Sequence, residues 1–237
     1  MKNNILLFFV FLICSFQTDN EQAVANPASY LEDIKAGLSK EWPGNKTINL
    51  VFHGHSVPAG YFKTPIVNTL SSYPYLVLKA LKEFYPYAVI NIINTSIGGE
   101  NSLSGDRRFK GEVLARKPDV LFIDYALNDR GAGLQAAGKA WEKMIRKALQ
   151  QHIKIILLTP SPDQTVNLLE PNNLLEQHAQ QIRALAGKYH IGLADSYAAF
   201  RQKVLAGDSL QLYMSQVNHP NEKGHALIAA EILKYFQ

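Results

Sequence analysis

Five short runs of apolar, largely β-branched residues recur along this chain, at 47–52, 88–93, 119–125, 153–158 and 191–194. Each reads as a strand, and helical patterns alternate with them. Leu76, Val77, Ala80, Leu81 and Phe84 mark one helical face; Leu134, Ala137, Trp141, Met144, Ile145 and Ala148 mark a second; Leu175, His178, Ile182 and Leu185 mark a third. A weaker helical pattern runs from Pro27 to Trp42 and stops at Pro43-Gly44, and a final helix is expected from about Glu222 to Phe236 with Asn221 as its cap. Strands separated by helices cannot pair through tight hairpins. They line up in parallel through right-handed crossovers, which cover both faces of the sheet. The expected fold class is therefore α/β, a three-layer α/β/α sandwich around a five-stranded parallel sheet.

Ligands in such a sheet sit at the carboxyl ends of the strands. Three strand ends here are rich in small and polar residues: Gly54-His55-Ser56 after the first run, Ser96-Ile97-Gly98-Gly99 after the second, and Ala126-Leu127-Asn128-Asp129 after the third. A serine on a tight turn there can present its Oγ to a substrate, although Gly54, Ser56, Pro58 and Gly60 are also ordinary turn formers. Near the C-terminus, His219 precedes Pro220 and the start of the last helix.

Residues 1–25 have the form of a signal peptide. Lys2 is followed by an apolar run over 5–14 that is short for a bilayer span, and Ala23-Val24-Ala25 supplies small residues before a cleavage point. The expected domain is then a single unit at 26–237, secreted or periplasmic. Lipoprotein anchoring through Cys14 is the less favoured alternative, because Ile13 is bulkier than the residue such a site carries. Cys14 is the only cysteine of the chain, so the domain has neither a disulfide nor a thiol nucleophile. With 47% hydrophobic residues it can hold an ordinary core. The formal net charge of +4 becomes +5 without Lys2, Asp19 and Glu21. No basic run interleaved with aromatics accompanies it, which argues against a nucleic-acid partner.

With Gly54-His55-Ser56, Gly99, Ala126-Leu127-Asn128-Asp129 and His219 in this order, the sequence from about residue 47 onward resembles the SGNH hydrolases, the GDSL esterase/lipase superfamily. The resemblance implies a flavodoxin-like sandwich and an esterase without cofactor or metal. It implies Ser56 as nucleophile, His219 as base, and the Ser56 N–H, Gly99 and Asn128 as an oxyanion hole. The chemistry suits these residue types. A histidine titrates near neutral pH, a glycine lets a backbone N–H approach closely, and an asparagine donates without bringing charge.

The chain departs from the family pattern at three positions. His55 stands where the family has aspartate, Ala126 where it has glycine, and Gln216 where it has the carboxylate three residues before the histidine. Three outcomes are open there: a Ser–His dyad, another carboxylate reaching His219 from elsewhere, or very low activity. The dyad is favoured, with Gln216 or its backbone carbonyl accepting from Nδ1–H of His219 to fix the useful tautomer.

Other readings are weaker. Gly98-Gly99 lacks the spacing of a nucleotide loop. His53 and His55, one residue apart, and His219 and His225 lack the further ligands a zinc site needs. Asp129, Arg130, Glu100, Arg107 and Arg108 are read as loop charges, with Arg107 or Arg108 able to grip an acidic sugar or phosphate. Tyr61, Phe62 and Tyr73 could wall a substrate, with packing as the default. The leading expectation is an esterase for short acyl groups, such as acetyl groups on carbohydrate. A lysophospholipase or thioesterase is the alternative within the same chemistry, and a glycan-binding domain without turnover is the alternative outside it.

Overall fold

The computed structural model describes residues 23–237. The leader read over residues 1–25 lies outside this range except for its last three residues. Val24 packs against the core, and the Ala25 N–H donates to the Ile191 carbonyl at 3.1 Å. A chain beginning at Asn26 forgoes both contacts.

In chain order, α1 (Pro27–Tyr30) and α2 (Glu32–Leu38) precede β1 (Thr47–Gly54), a short helix α3 (Ser56–Ala59), α4 (Tyr73–Phe84) and β2 (Val89–Asn94). Next come α5 (Ser102–Arg108), β3 (Val120–Asp124), α6 (Leu134–Leu149), β4 (Lys154–Leu158), α7 (Leu174–Tyr189), β5 (Gly192–Ala194) and α8 (Ser196–Leu205). The chain ends in β6 (Met214–Gln216), β7 (His219–Pro220) and α9 (Glu222–Leu233). The first five strands form one parallel sheet in the order β2-β1-β3-β4-β5.

Alternation along the strands sorts the core into two layers. Leu50, Phe52, Val120, Phe122, Ile156 and Leu158 join the apolar faces of α4, α8 and α9. Val51, Leu121, Ile123, Ile155 and Leu157 join those of α6 and α7. Phe52 and Phe122 stand opposite each other in register, their rings stacked with centroids 4.3 Å apart. Truncating either to alanine would cost about 3–5 kcal/mol. The same register sets Gly54 beside Asp124, so the turn after β1 opens next to the end of β3.

Three features differ from the pattern read in the sequence. The first helical segment breaks at Leu31, because Leu31 is fully buried while the Tyr30 hydroxyl accepts from the Ile155 N–H at 3.0 Å. Helix α8 is capped by Asp195 and buries Tyr197 and Phe200, a pattern too short to stand out from its neighbours. Strands β6 and β7 form a small antiparallel pair in which Gln216 lies opposite His219. Among the described residues, no helix is long and apolar enough to cross a membrane.

Candidate active site

Strand β1 ends at Gly54, where a Cβ would fall 2.4 Å from the Asp124 carbonyl oxygen and 2.8 Å from the Pro58 ring. Only glycine lets β1 and β3 come this close at the turn. The next residue, His55, is extended, and its Nδ1 accepts from the Val57 N–H at 3.2 Å, capping α3. Ser56 thereby becomes the first residue of α3, nine-tenths buried.

His219 reaches Ser56 from the other end of the chain. Its Nε2 lies 2.8 Å from Ser56 Oγ. The pairing of β6 with β7 holds its backbone, and Ser215 Oγ donates to the carbonyls of His219 (3.0 Å) and Pro220 (3.1 Å). Asn221 then caps α9 by accepting from the Gly224 N–H. The Tyr61 ring lies over the imidazole, with centroids 6.3 Å apart. Burial, and secondarily His55, lower the His219 pKa against the opposing pull of the Phe62 carbonyl.

On the far side of the imidazole, Gln216 Nε2 contacts His219 Nδ1. The amide oxygen of Gln216 accepts instead from the Thr64 N–H at 3.0 Å. Among the described residues no carboxylate is hydrogen-bonded to His219. Asp163, in the neighbouring loop, is occupied by Arg130 (2.7 Å) and by Thr165, which together hold its pKa below the usual carboxylate range despite burial.

The segments carrying Gly99 and Asn128 are joined directly. The Asn128 side-chain amide donates to the Glu100 carbonyl at 2.8 Å, and the buried Asp129 accepts from the Ser102 N–H (2.8 Å) and Trp141 Nε1 (2.7 Å). Asp129, read in the sequence as a loop charge, is thus a buried anchor; burial raises its pKa although these bonds pull it down. Gly99 has φ +80°, a conformation that disfavours side chains, and a Cβ there would meet nothing within 4 Å. Neither its N–H nor that of Ser56 donates to a backbone acceptor among the described residues. One N–H of the Asn128 amide also remains after the bond to Glu100.

The remaining sequence candidates separate. His53 and His55 have different partners: His53 engages Thr95, Gly105 and Tyr125, whereas His55 Nε2 faces Asp124 Oδ1 at 3.4 Å. Asp124 also accepts from the Tyr73 hydroxyl at 3.0 Å. A carboxylate from β3 therefore stands behind the residue that precedes Ser56, where the family pattern would put one at position 55 itself. Nothing in the sequence pointed to Asp124 except that an acid closes an otherwise apolar strand.

Arg108 is committed to Glu100, Glu112 and the Tyr125 hydroxyl, while the exposed Arg107 donates to Ser104 Oγ. Phe62 and Tyr73 are buried and pack on His225, while Tyr61 stays half-exposed beside His219. Among the described residues no group of three or more potential ligands converges on a metal position.

Two of these buried histidines weaken the fold as pH falls. Burial, with Arg108 as a lesser cause, lowers the His53 pKa from 6.5 to about 3, and burial with His219 lowers that of His225 to about 3. Between these values the unfolded chain binds more protons than the folded one. The stability these two neutral histidines contribute is therefore fully present above about pH 6.5 and is lost as pH falls toward 3. At pH 4 each histidine costs roughly 3 kcal/mol. Urea unfolding of His225→Gln, which can still accept from the Tyr73 N–H, is expected to lose less stability between pH 7 and pH 4 than the parent. An equally steep loss would mean that His225 is not held neutral.

The sequence matches the profile of the GDSL-like Lipase/Acylhydrolase family over residues 52–227. A search of curated proteins gave no match. Among solved structures, an acetylxylan esterase from Geobacillus stearothermophilus superposes with a TM-score of 0.70 at 22% identity, covering 80% of this chain and 94% of that one. A two-domain esterase active on acetylated mannans gives the same TM-score and identity over 91% of this chain and 55% of its own length. Catalytic mutants of the acetylxylan esterase were made at a serine, an aspartate and a histidine, the last two being three residues apart.

Proposed function

We propose, for a chain that belongs to the GDSL-like Lipase/Acylhydrolase family, a serine esterase that removes short acyl groups, acetyl above all, from carbohydrate. The family makes it an ester hydrolase of GDSL type, and the five-stranded parallel fold is that of known acetyl esterases. The observation that carries the reading is the 2.8 Å contact between His219 Nε2 and Ser56 Oγ, made across more than 160 residues of sequence.

In the proposed reaction Ser56 Oγ attacks the ester carbonyl carbon while its proton passes to His219 Nε2. The carbonyl oxygen becomes an oxyanion and is met by the N–H groups of Ser56 and Gly99 and by the Asn128 amide. Collapse of the intermediate expels the sugar alkoxide, which takes the proton from His219. A water then repeats the sequence on the acyl-serine and releases the free acid. Of the two arginines expected to grip an acidic sugar, Arg107 is exposed at the end of α5, whereas Arg108 is committed to Glu100 and Glu112.

The narrower choice of acetylated carbohydrate is supported by the two similar structures, whose proteins act on acetylated xylooligosaccharides and mannans. Export is part of the proposal and rests on the leader read at residues 1–25. Gln216 beside His219 favours a second reading, a glycan-binding domain with little turnover. Incubation with acetylated xylan, acetylated mannan and p-nitrophenyl acetate separates the two. Acetate release that is lost after serine-directed phosphonate treatment is expected, and polysaccharide binding without any acetate release would establish the second reading.

A further inference from the structure

A general base must offer an unprotonated nitrogen to the serine. His219 Nε2 faces Ser56, so the productive neutral form carries its proton on Nδ1. What stands at Nδ1 therefore decides whether the pair can react, and what stands there is the amide of Gln216.

The orientation of that amide is decided by its other neighbour. Thr64 presents its backbone N–H, a donor that cannot change roles, 3.0 Å from Gln216 Oε1. Turning the amide over would set its NH2 against this N–H, donor against donor. With the oxygen on Thr64, the NH2 faces Nδ1, and it approaches Thr64 Oγ1 at 3.3 Å as well. An NH2 can only donate, so Nδ1 must accept, and the imidazole proton is left on Nε2. In that tautomer His219 donates to Ser56 and cannot take its proton.

We propose that Gln216, oriented by the Thr64 N–H, is a positioning residue that holds His219 in its non-basic tautomer and keeps the Ser56–His219 pair largely silent at rest. The inference rests on the reading of these two residues as the reacting pair. It reverses the role expected for Gln216 from the sequence, since the carbonyl that would have accepted from Nδ1–H is already taken.

The lock can open. Thr64 lies in a segment, 63–70, in which every residue is exposed, and backbone bonds to Gly60 and within the segment, with the Tyr61–Val67 bridge, tie it down. Segments so lightly packed belong to the low-stability end of a structure. When Thr64 withdraws, the amide can turn its oxygen to Nδ1. The proton then leaves Nε2 for solvent and another is taken up at Nδ1, with no net change. The bias from one partly exposed hydrogen bond is worth about tenfold at most in the population of the basic tautomer.

Glutamate is the replacement that decides the matter. Gln216→Glu has the same shape, and its two oxygens can accept from the Thr64 N–H and from Nδ1–H together. In a Ser-His-Asp protease the reverse change, carboxylate to amide, lowers kcat roughly ten-thousandfold through the wrong tautomer. Gln216→Glu is therefore expected to raise kcat at least about tenfold. Thr64→Pro, which removes the N–H together with the Oγ1 that the Gln216 NH2 approaches, is expected to raise it a few-fold.

Turnover is not the primary readout. Long-range nitrogen–proton spectra of protein labelled at its seven histidines, with His219 assigned by its loss in His219→Gln, report the tautomer without any reaction. Above the titration of His219, the parent should be protonated at Nε2 and Gln216→Glu at Nδ1. A parent protonated at Nδ1 overturns the proposal, as does an Nε2 proton that stays put in Gln216→Glu. Absence of hydrolysis and of Ser56 labelling in every variant would defeat the esterase reading, and the spectra would still decide the role of Gln216.

Discussion

Ser56→Ala is expected to remove esterase activity and phosphonate labelling while leaving the fold intact. The hydroxyl is small, and its described partner is His219 Nε2 at 2.8 Å, so its loss costs at most about 1 kcal/mol of stability. For a domain of this size that is a fall of about 2–4 °C in Tm. Its effect on chemistry is of another order, because no acyl-enzyme can form. In a serine protease, loss of the nucleophile lowers kcat about a millionfold. The ratio measured here is expected to be smaller by the factor through which the silent tautomer already depresses the parent. Combining the change with Gln216→Glu should widen the ratio, because only the numerator rises. Mass spectrometry of phosphonate-treated protein gives an independent check: the adduct should map to Ser56 and vanish in the variant. An Ser56→Ala protein with most of its turnover intact would take Ser56 out of the mechanism.

Asn128→Ala is the second large effect. Removing one preorganised oxyanion donor lowers kcat by about a hundred- to a thousandfold with little change in KM, since the charge it meets exists only in the transition state. In this protein Asn128 also donates to the Glu100 carbonyl at 2.8 Å and so ties its own turn to the one carrying Gly99. Loss of that bond adds a stability cost of about 1 kcal/mol. The two roles separate by measurement, because kcat reports the donor and Tm reports the tie. If KM rose while kcat held, Asn128 would be binding the ground state and the oxyanion would be met elsewhere. The buried Asp129 keeps the turn in place in this variant through Ser102 and Trp141, so any loss of kcat is not a collapse of the loop.

His55 shows how a departure from the family pattern can be absorbed by the tertiary structure. With aspartate replaced at this position, the buried carboxylate comes from Asp124 on the adjacent strand, 3.4 Å from His55 Nε2 and bonded to Tyr73. Burial and the neighbouring Asp124 raise the Tyr73 pKa well above its usual value, so it remains a donor at any working pH. His55 in turn caps the short helix that carries Ser56.

The sequence by itself determined the five strands and their order of appearance, the amphipathic faces of α4, α6 and α7, the cap of α9, and the positions of Ser56, Gly99, Asn128 and His219 next to strand ends or a helix start. All of these are local signals. A period of two or 3.6, a β-branched run or a capping residue is written in neighbours a few positions apart. Only the tertiary structure decided which polar groups face one another across the site. Thr64 meets Gln216, Tyr73 meets Asp124, and Asp129 meets Ser102 and Trp141, pairs drawn from different turns, helices and strands. Hydrogen bonds between distant segments leave no periodic trace, because either partner alone reads as an ordinary loop residue. The orientation of the Gln216 amide is the extreme case. Whether that side chain helps His219 or silences it depends on one backbone N–H more than 150 residues away, a donor that every residue but proline carries and that no sequence pattern distinguishes.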